Sequence, residues 1–345
     1  MIKKILKKIG YVLFTNFSFV VAFLVLFLIF TFKFPYIIES PGGLINLNDR
    51  IKVENTYEIN GSYNMTYVTT RNATIPGLIL SYFNKDWDVY STKEYIESGT
   101  TLEEDDLRGK IYLKESNNNA VMNAFNMAGY SVTITDESVF VVYVDEKANT
   151  DLKVGDEIIS IDGVTVTSSE QLSLLSNIYN VGDKVNILVN SNNKEYNRYA
   201  YVYNMNDKKV FGIYVSLNRE LKHNPSVEFN FSKSEYGSSA GLMQALYIYD
   251  SITQKDISNG LKIAGTGALN AKGEVLTISG IKYKLKGAVK EKTDIFFVPN
   301  GENYEEAIKL VNENKYKLNV VGVSTFDDAL LYLYNYKKSW FQFDT

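Results

Sequence analysis

The sequence predicts an α+β protein with an N-terminal transmembrane helix, a β-rich segment, a small β domain and a mixed domain in which strands alternate with helices. Three observations predict it. Residues 11–32 are almost wholly apolar and uncharged, with Thr15, Asn16, Ser18 and Thr31 the only polar interruptions. Residues 35–205 alternate and turn in the manner of short strands. Beyond residue 206, strand-like runs give way repeatedly to runs with helical spacing.

The apolar segment sets the topology. About 20 apolar residues match the ~30 Å hydrocarbon layer of a bilayer. Lys3, Lys4, Lys7 and Lys8 precede the segment, and Lys33-Phe34-Pro35-Tyr36 follows it, without the small-x-small site of a cleaved signal peptide. The positive-inside rule makes residues 1–10 a cytoplasmic basic tail and residues 11–34 a single-pass signal anchor in the lipid bilayer of the cell membrane, with the C-terminal bulk extracellular. The alternative, a buried core helix, is disfavoured because the segment has no polar face.

Composition excludes several chemistries. The 345 residues suffice for two or three domains. They include no cysteine, hence no disulfide, thiolate metal site or cysteine nucleophile. The single histidine, His223, sits in Leu221-Lys222-His223-Asn224-Pro225, which reads as a solvated loop and a poor base for a catalytic triad. Net charge is −4 with no basic run beyond the N-terminus, so nucleic acid is not an expected partner. Gly-x4-Gly-Lys-Ser/Thr and His-Glu-x-x-His are both absent, so neither nucleotide nor zinc is expected, and no cofactor.

Residues 35–115 form the β-rich segment. Pro41-Gly42-Gly43 and Asn60-Gly61-Ser62 mark turns, while Ile51-Lys52-Val53 and residues 63–68 alternate like half-buried strands. Residues 92–106 are polar and read as a surface connection. The next domain, residues 116–205, leads with a helix around residues 120–127 that stops at Gly129. Residues 139–144 are a continuous apolar strand, and Leu152-Lys153-Val154-Gly155-Asp156 turns into a second strand. Asp162-Gly163 is a hairpin signal before Val164-Thr165-Val166. Ser169 reads as the N-cap of a helix through Gln171, Leu172, Leu174 and Leu175.

This order, with its Leu-x-Val-Gly-Asp…Ile-x-x-Ile-Asp-Gly stretch, resembles the PDZ domains of bacterial surface proteases. The resemblance implies a groove in which a peptide adds as a strand beside Val139, Phe140 and Val141, flanked by the helix carrying Leu172. The glycine-containing loop usual before that strand is replaced by Asp136-Glu137-Ser138.

In residues 206–345, residues 211–215 and 227–231 read as strands. Tyr236-Gly237-Ser238-Ser239-Ala240-Gly241 then opens a helix in which Leu242, Met243, Ala245, Leu246, Ile248 and Tyr249 recur at helical spacing. Ser239 falls at a helix N-terminus, where unpaired N–H groups and the dipole favour negative charge. That suits a nucleophile, because N–H groups around Ser238 and Ala240 can hold the oxyanion formed on attack. It equally suits a plain cap, since serine is a favoured N-cap residue. Downstream come Gly265-Thr266-Gly267 on a strand and turn, a hairpin over residues 270–275, and Ile278-Ser279-Gly280-Ile281 before a helix bearing Lys282 and Lys284. A lysine serves as general base only where burial brings its pKa down from about 10.4 toward neutrality.

The succession Gly-x-Ser-Ala-Gly, Gly-Thr-Gly, Gly-Glu-Val and Gly-Ile-x-x-Lys, between residues 211 and 323, resembles the proteolytic domain of Lon-type serine proteases. The resemblance implies a Ser/Lys dyad, with Ser239 as nucleophile, Lys284 rather than Lys282 as base, and Thr266 as a hydroxyl that helps position the lysine. Two positions depart from the family pattern: Ser238 replaces a usual proline, and Ser279 replaces the first of two glycines. With the apolar segment and the PDZ-like domain, the chain resembles the membrane-anchored PDZ/Lon-type proteases of Gram-positive and related bacteria. The implied function is an ATP-independent endopeptidase acting on extracytoplasmic protein or peptide substrates, with homo-oligomerisation left open. The rival, kept alive by Ser238 and Ser279, is a catalytically inactive membrane-tethered peptide-binding module.

Overall fold

The computed structural model describes Ile5, Tyr11, residues 14–96 and residues 100–336. The chain is a mixed α+β protein. It divides into one unit of Met1–Pro41 and Val68–Glu97 and another of Gly42–Tyr67 and Ser98–Thr345.

In the first unit, helix α1 (Phe17–Thr31) buries none of its residues. Its 15 residues rise about 22 Å at ~1.5 Å each, short of the ~30 Å hydrocarbon layer. Among the described residues no helix is long and apolar enough to cross a membrane. Tyr11, Phe14 and Thr15 are helical as well, ahead of a turn at Asn16, and residues 12 and 13 lie outside the described residues, so the helix expected over residues 11–34 is described only in part. Strand β1 (Tyr36–Asn46) pairs antiparallel with Asp88–Ser91, from Tyr36↔Ser91 to Glu39↔Asp88. Both β1 and β2 (Ser62–Asn72) contribute residues to each unit. Helix α2 (Ile75–Phe83) is capped by Thr74, whose side chain accepts from the Gly77 N–H.

The expected polar connection over residues 92–106 holds instead a one-turn helix, Thr92–Tyr95, and the start of a long one. Helix α3 (Leu102–Ala128) runs far beyond the short helix expected around residues 120–127. Thr101 and Glu104 close a capping box, and Glu103, Glu104 and Asp105 complement the dipole in the first turn. Its buried side is Gly109, Ile111, Ser116, Asn119, Ala120, Val121, Ala124 and Phe125. Small and polar residues separate Ile111, Val121 and Phe125 on that side, so no continuous apolar stripe announces the helix.

An antiparallel sheet follows: β3 (Val132–Val144), β4 (Glu157–Ile161), β5 (Lys184–Ser191), β6 (Lys194–Tyr201) and β7 (Ile213–His223), in the order β7-β3-β4-β5-β6. Helix α4 (Ser169–Ile178) contributes Leu172 and Leu175 to its core, beside Val139, Val141, Ile158, Ile161, Val185 and Ile187. Its N-cap is Ser168, not Ser169: the Ser168 hydroxyl accepts from Gln171 N–H at 3.1 Å. β7, whose first residues were expected to open the following domain, pairs with β3 along its whole length, from Ile213↔Val144 to His223↔Val132. The outer edge of β7 is shielded by α3. The Asn118 side chain donates to the Arg219 carbonyl at 3.0 Å and accepts from the Arg219 N–H at 3.1 Å, standing in for a neighbouring strand.

The rest of the second unit is built on parallel strands. After α5 (Gly241–Ile252) come β8 (Lys262–Gly265), α6 (Ile281–Lys290), β9 (Ile295–Pro299), α7 (Glu302–Asn314), β10 (Asn319–Val323) and α8 (Phe326–Asn335). The strand order is β10-β9-β8-β2, with every neighbouring pair parallel. β9 is buried throughout, as a parallel strand covered on both faces must be. Alternation sends Ile295 and Phe297 into the layer of α5, and Phe296 and Val298 into the layer of α6 and α7.

Candidate active site

Helix α5 starts at Gly241 with Ala240 at the N-cap and no side-chain capping bond. Neither serine is therefore occupied as a cap. Ser239 lies half-buried just before the N-cap, in the turn where helix N–H groups lack intrahelical partners. Gly237 enters that turn at φ 100°, a left-handed conformation that a side chain would strain.

Three parts of the second unit fix this turn. From α3, the Gly109 carbonyl accepts from Gly237 N–H at 2.9 Å. The Ser116 hydroxyl lies 3.2 Å from the Ser238 carbonyl and 3.3 Å from the Gln244 side-chain oxygen. From the chain after β8, the Ser239 carbonyl accepts from Gly267 N–H at 2.7 Å and from the Thr266 hydroxyl at 3.1 Å. The third tie is Arg50, which donates to Glu235 through Nε and Nη2 at 2.8–3.1 Å, while Ser232 N–H donates to the same carboxylate at 2.9 Å. Hydrogen bonding from Arg50 holds the Glu235 carboxyl below the usual glutamate range. Glu235 is thus a structural anchor of the turn.

Helix α6 brings the lysine. Gly280, at φ 76°, takes the left-handed entry to the helix. Ser279 is exposed and has no positive φ, so a serine there costs no backbone strain. Lys284 is only 5 % exposed, and its Nζ donates to the Thr266 hydroxyl at 3.2 Å. Thr266, itself fully buried, accepts from the lysine and donates to the Ser239 carbonyl. Lys282 stands two residues away, about 200° around the helix. It is half-buried, with its amine 5.4 Å from the centroid of the Tyr283 ring. The fold therefore gathers Ser239, Thr266 and Lys284 and leaves Lys282 aside.

Other expected positions go elsewhere. The peptide groove beside Val139, Phe140 and Val141 is not open, because β3 is paired on both edges there. One edge carries β7 (Val139↔Leu217, Phe140↔Ser216, Val141↔Val215). The other carries β4 (Val139↔Ile158, Phe140↔Glu157), extended by Val141 N–H to the Asp156 carbonyl at 2.9 Å. Val139, Val141 and Leu172 are core residues. His223 is not in a solvated loop. It ends β7 half-buried, its ring 5.0 Å from that of Phe125 and its Nδ1 2.9 Å from the Pro225 carbonyl. Among the described residues no cluster of His, Cys, Asp or Glu could hold a metal ion.

The sequence reading missed the support given by α3. Besides Ser116, Asn119 donates to the Leu269 carbonyl at 3.0 Å, Asn123 to the Asn270 carbonyl at 2.9 Å, and Asn117 accepts from Gln244 at 3.0 Å. On the β7 side, Glu115 accepts from Ser216, and burial pushes the Glu115 carboxyl up. The signal was the run Glu115-Ser116-Asn117-Asn118-Asn119. Residues that favour caps and turns persist inside a helix when their side chains have partners outside it.

The parallel half thus joins a buried lysine, through a threonine hydroxyl, to the backbone of a serine turn at a helix N-terminus. Residues 144–335 match the Lon protease (S16) C-terminal proteolytic domain, more than half of the 345-residue chain, and the chain belongs to that family. The matched range begins well before residue 211 and takes in β4 to β7. The chain is 36 % identical over 93 residues to a Lon protease of Aster yellows witches'-broom phytoplasma, covering 27 % of this chain and 11 % of that protein. It is 31 % identical over 137 residues to a Lon protease of Mesomycoplasma hyopneumoniae, covering 40 % of this chain and 15 % of that one. A Lon protease of Campylobacter jejuni is 33 % identical over 97 residues, 28 % of this chain and 12 % of its own. The chain thus spans a small fraction of these relatives' lengths. Among solved structures, the PDZ domain of an SdrC-like protein from Listeria monocytogenes aligns at 22 % identity and TM-score 0.22, covering 24 % of this chain and 92 % of that one. The second domain of another Listeria protein aligns at 24 % identity and TM-score 0.20, covering 26 % and 88 %.

Proposed function

We propose that the protein is a serine endopeptidase that uses Ser239 as nucleophile and Lys284 as general base, works without ATP, and is held at the cell membrane by residues 11–34 with its catalytic part outside. One observation carries the catalytic reading: the buried Lys284 amine bonded to the Thr266 hydroxyl, which in turn holds the Ser239 carbonyl. Burial disfavours the charged form of a lysine, which a base must shed before it can accept a proton. A neutral amine that donates one hydrogen to Thr266 keeps its lone pair for the Ser239 hydroxyl. The serine oxygen then attacks the peptide carbonyl, and N–H groups of the Ser238–Ala240 turn stabilise the oxyanion. The lysine returns its proton to the leaving amine, and water, deprotonated by the same lysine, frees the acyl group.

ATP independence rests on the absence of a phosphate-binding Gly-x4-Gly-Lys-Ser/Thr string from this sequence. The membrane reading rests on the lysines before an apolar, uncharged segment. The PDZ-like reading of residues 116–205 rests on the Leu152–Gly163 wording. With both edges of β3 paired, that part acts as a scaffold for the catalytic turn through α3 rather than as an open peptide groove. The test is cleavage of an unfolded protein substrate by the full chain in detergent, with and without ATP. Equal cleavage in both, lost in Ser239→Ala and Lys284→Ala, supports the proposal. Cleavage that needs ATP, or none from a folded wild type, refutes it.

A further inference from the structure

Helix α2 reads Ile75-Pro76-Gly77-Leu78-Ile79-Leu80-Ser81-Tyr82-Phe83 and has no fully buried residue. Gly77 lets one side approach the buried Ile38 of β1. Elsewhere Ile79, Leu80, Tyr82 and Phe83 stand 54, 55, 86 and 78 % exposed. Four large apolar and aromatic side chains presented together by one short helix mark a surface made to meet something other than water.

Three further features indicate what it meets. Both ends of α2 carry internal hydrogen bonds, which an apolar medium favours. Thr74 caps the helix, the Ser81 hydroxyl donates to the Leu78 carbonyl at 2.8 Å, and Asn84 N–H donates to the Ser81 carbonyl at 3.2 Å. Next to the helix, the Arg71 guanidinium lies 5.0 Å from the centroid of the Trp87 ring. An indole paired with a cation suits the boundary between acyl chains and water. Finally, the chain leaving α1 is tied to the root of α2: Phe34 N–H donates to the Ala73 carbonyl at 2.9 Å, and the Phe32 and Phe34 rings lie 5.0 Å apart.

We propose that α2 is a second membrane contact, lying in the bilayer surface with Ile79, Leu80, Tyr82 and Phe83 among the acyl chains. Its nine residues rise about 13 Å, too short to cross a bilayer and suited to a shallow interfacial position. Nearby charges are mixed, with Lys33, Arg71, Lys85 and Lys93 set against Glu39, Asp86, Asp88 and Glu94. The contact is therefore apolar, and neutral lipid suffices. The exposed face stands on its own observations, whereas its placement beside α1 rests on the membrane anchor proposed above.

The absence of native cysteine permits a direct test. Full-length Phe83→Cys, Leu24→Cys and Lys272→Cys are each labelled with a fluorophore and reconstituted into neutral phosphatidylcholine vesicles containing doxyl-labelled acyl chains. The proposal expects the Phe83 probe to be quenched several-fold more by the doxyl chains than the exposed Lys272 probe, and to be shielded from aqueous iodide. A Phe83 probe that behaves like the Lys272 probe overturns it. If the Leu24 probe is quenched in that same experiment, the anchor survives and only this inference fails. If the Phe83 probe alone is quenched, α2 is the contact and the anchor fails. Shielding of Phe83 from both quenchers marks a protein partner or second copy, and also overturns the proposal.

Discussion

The antiparallel sheet of β3–β7 and the parallel sheet of β8–β10 both bury polar side chains, and they use them differently. In the antiparallel sheet, Asp156 is fully buried, and its Oδ2 both lies 3.2 Å from Arg198 Nε and accepts from Lys153 N–H at 2.9 Å. That pair holds a turn and a strand together and points at nothing. In the parallel half, Lys284 and Thr266 are buried just as deeply, and their bonds lead to the backbone of Ser239. Burial of a polar group is therefore no sign of a site in itself. What separates the two is direction: one set closes on the scaffold, the other ends at a helix N-terminus beside a half-buried serine.

The sharpest break is between two lysines on one helix. Lys284→Met should lower peptide turnover by at least about 10³-fold, in the range seen when one member of a cooperating catalytic set is lost. Lys282→Met should stay within a few-fold of wild type. Equal losses in steady-state assays would erase the distinction drawn from burial. Next comes the threonine. Thr266→Val should cut kcat by about 10²-fold, as misplacement of a catalytic group does, with little change in KM. Thr266→Ser, which restores the hydroxyl, should recover most of the activity.

The scaffold pair should behave in the opposite way. Arg198→Ala leaves the buried Asp156 without its ion-pair partner, and should cost about 3 kcal/mol in denaturant unfolding. Activity per folded molecule should hardly change. The smallest effect belongs to Glu235, whose pKa is depressed chiefly by hydrogen bonding from Arg50. Its contribution is present above the unfolded glutamate value near 4.3 and is lost as pH falls through the lower folded value. Glu235→Gln should therefore lower stability at neutral pH by less than about 1 kcal/mol, and the difference from wild type should vanish in acid.

The serine turn and the lysine helix were legible in the sequence because their constraints are local. Gly237, the small residues around Ser239 and the left-handed Gly280 each announce a backbone need at a fixed spacing. The sequence also separated Lys284 from Lys282 by resemblance, and the helix places the two on different sides. The antiparallel half was less legible. Residues 139–141 read as an apolar strand, and an apolar strand looks the same whether its edge is open to a peptide or filled by β7 from more than seventy positions away. Helix α3 was read only in part, because Ile111, Val121 and Phe125 are interrupted on its buried face by glycine, serine, asparagine and alanine. The apolar run over residues 11–32 carried its composition plainly, while the described helix within it ends at 15 residues. For β3 and α3 the missing information was pairing across long sequence separation, which periodicity does not encode.

The central claim, that Lys284 activates Ser239, is tested most directly by catching the acyl-enzyme. The full chain is mixed with an activated peptide ester, and adduct formation is followed by intact mass and then mapped by proteolysis. The account predicts one adduct on Ser239 in wild type, none in Ser239→Ala, and acylation slowed by orders of magnitude in Lys284→Met but not in Lys282→Met. An adduct on Ser238, or undiminished acylation of Ser239 without Lys284, would contradict it.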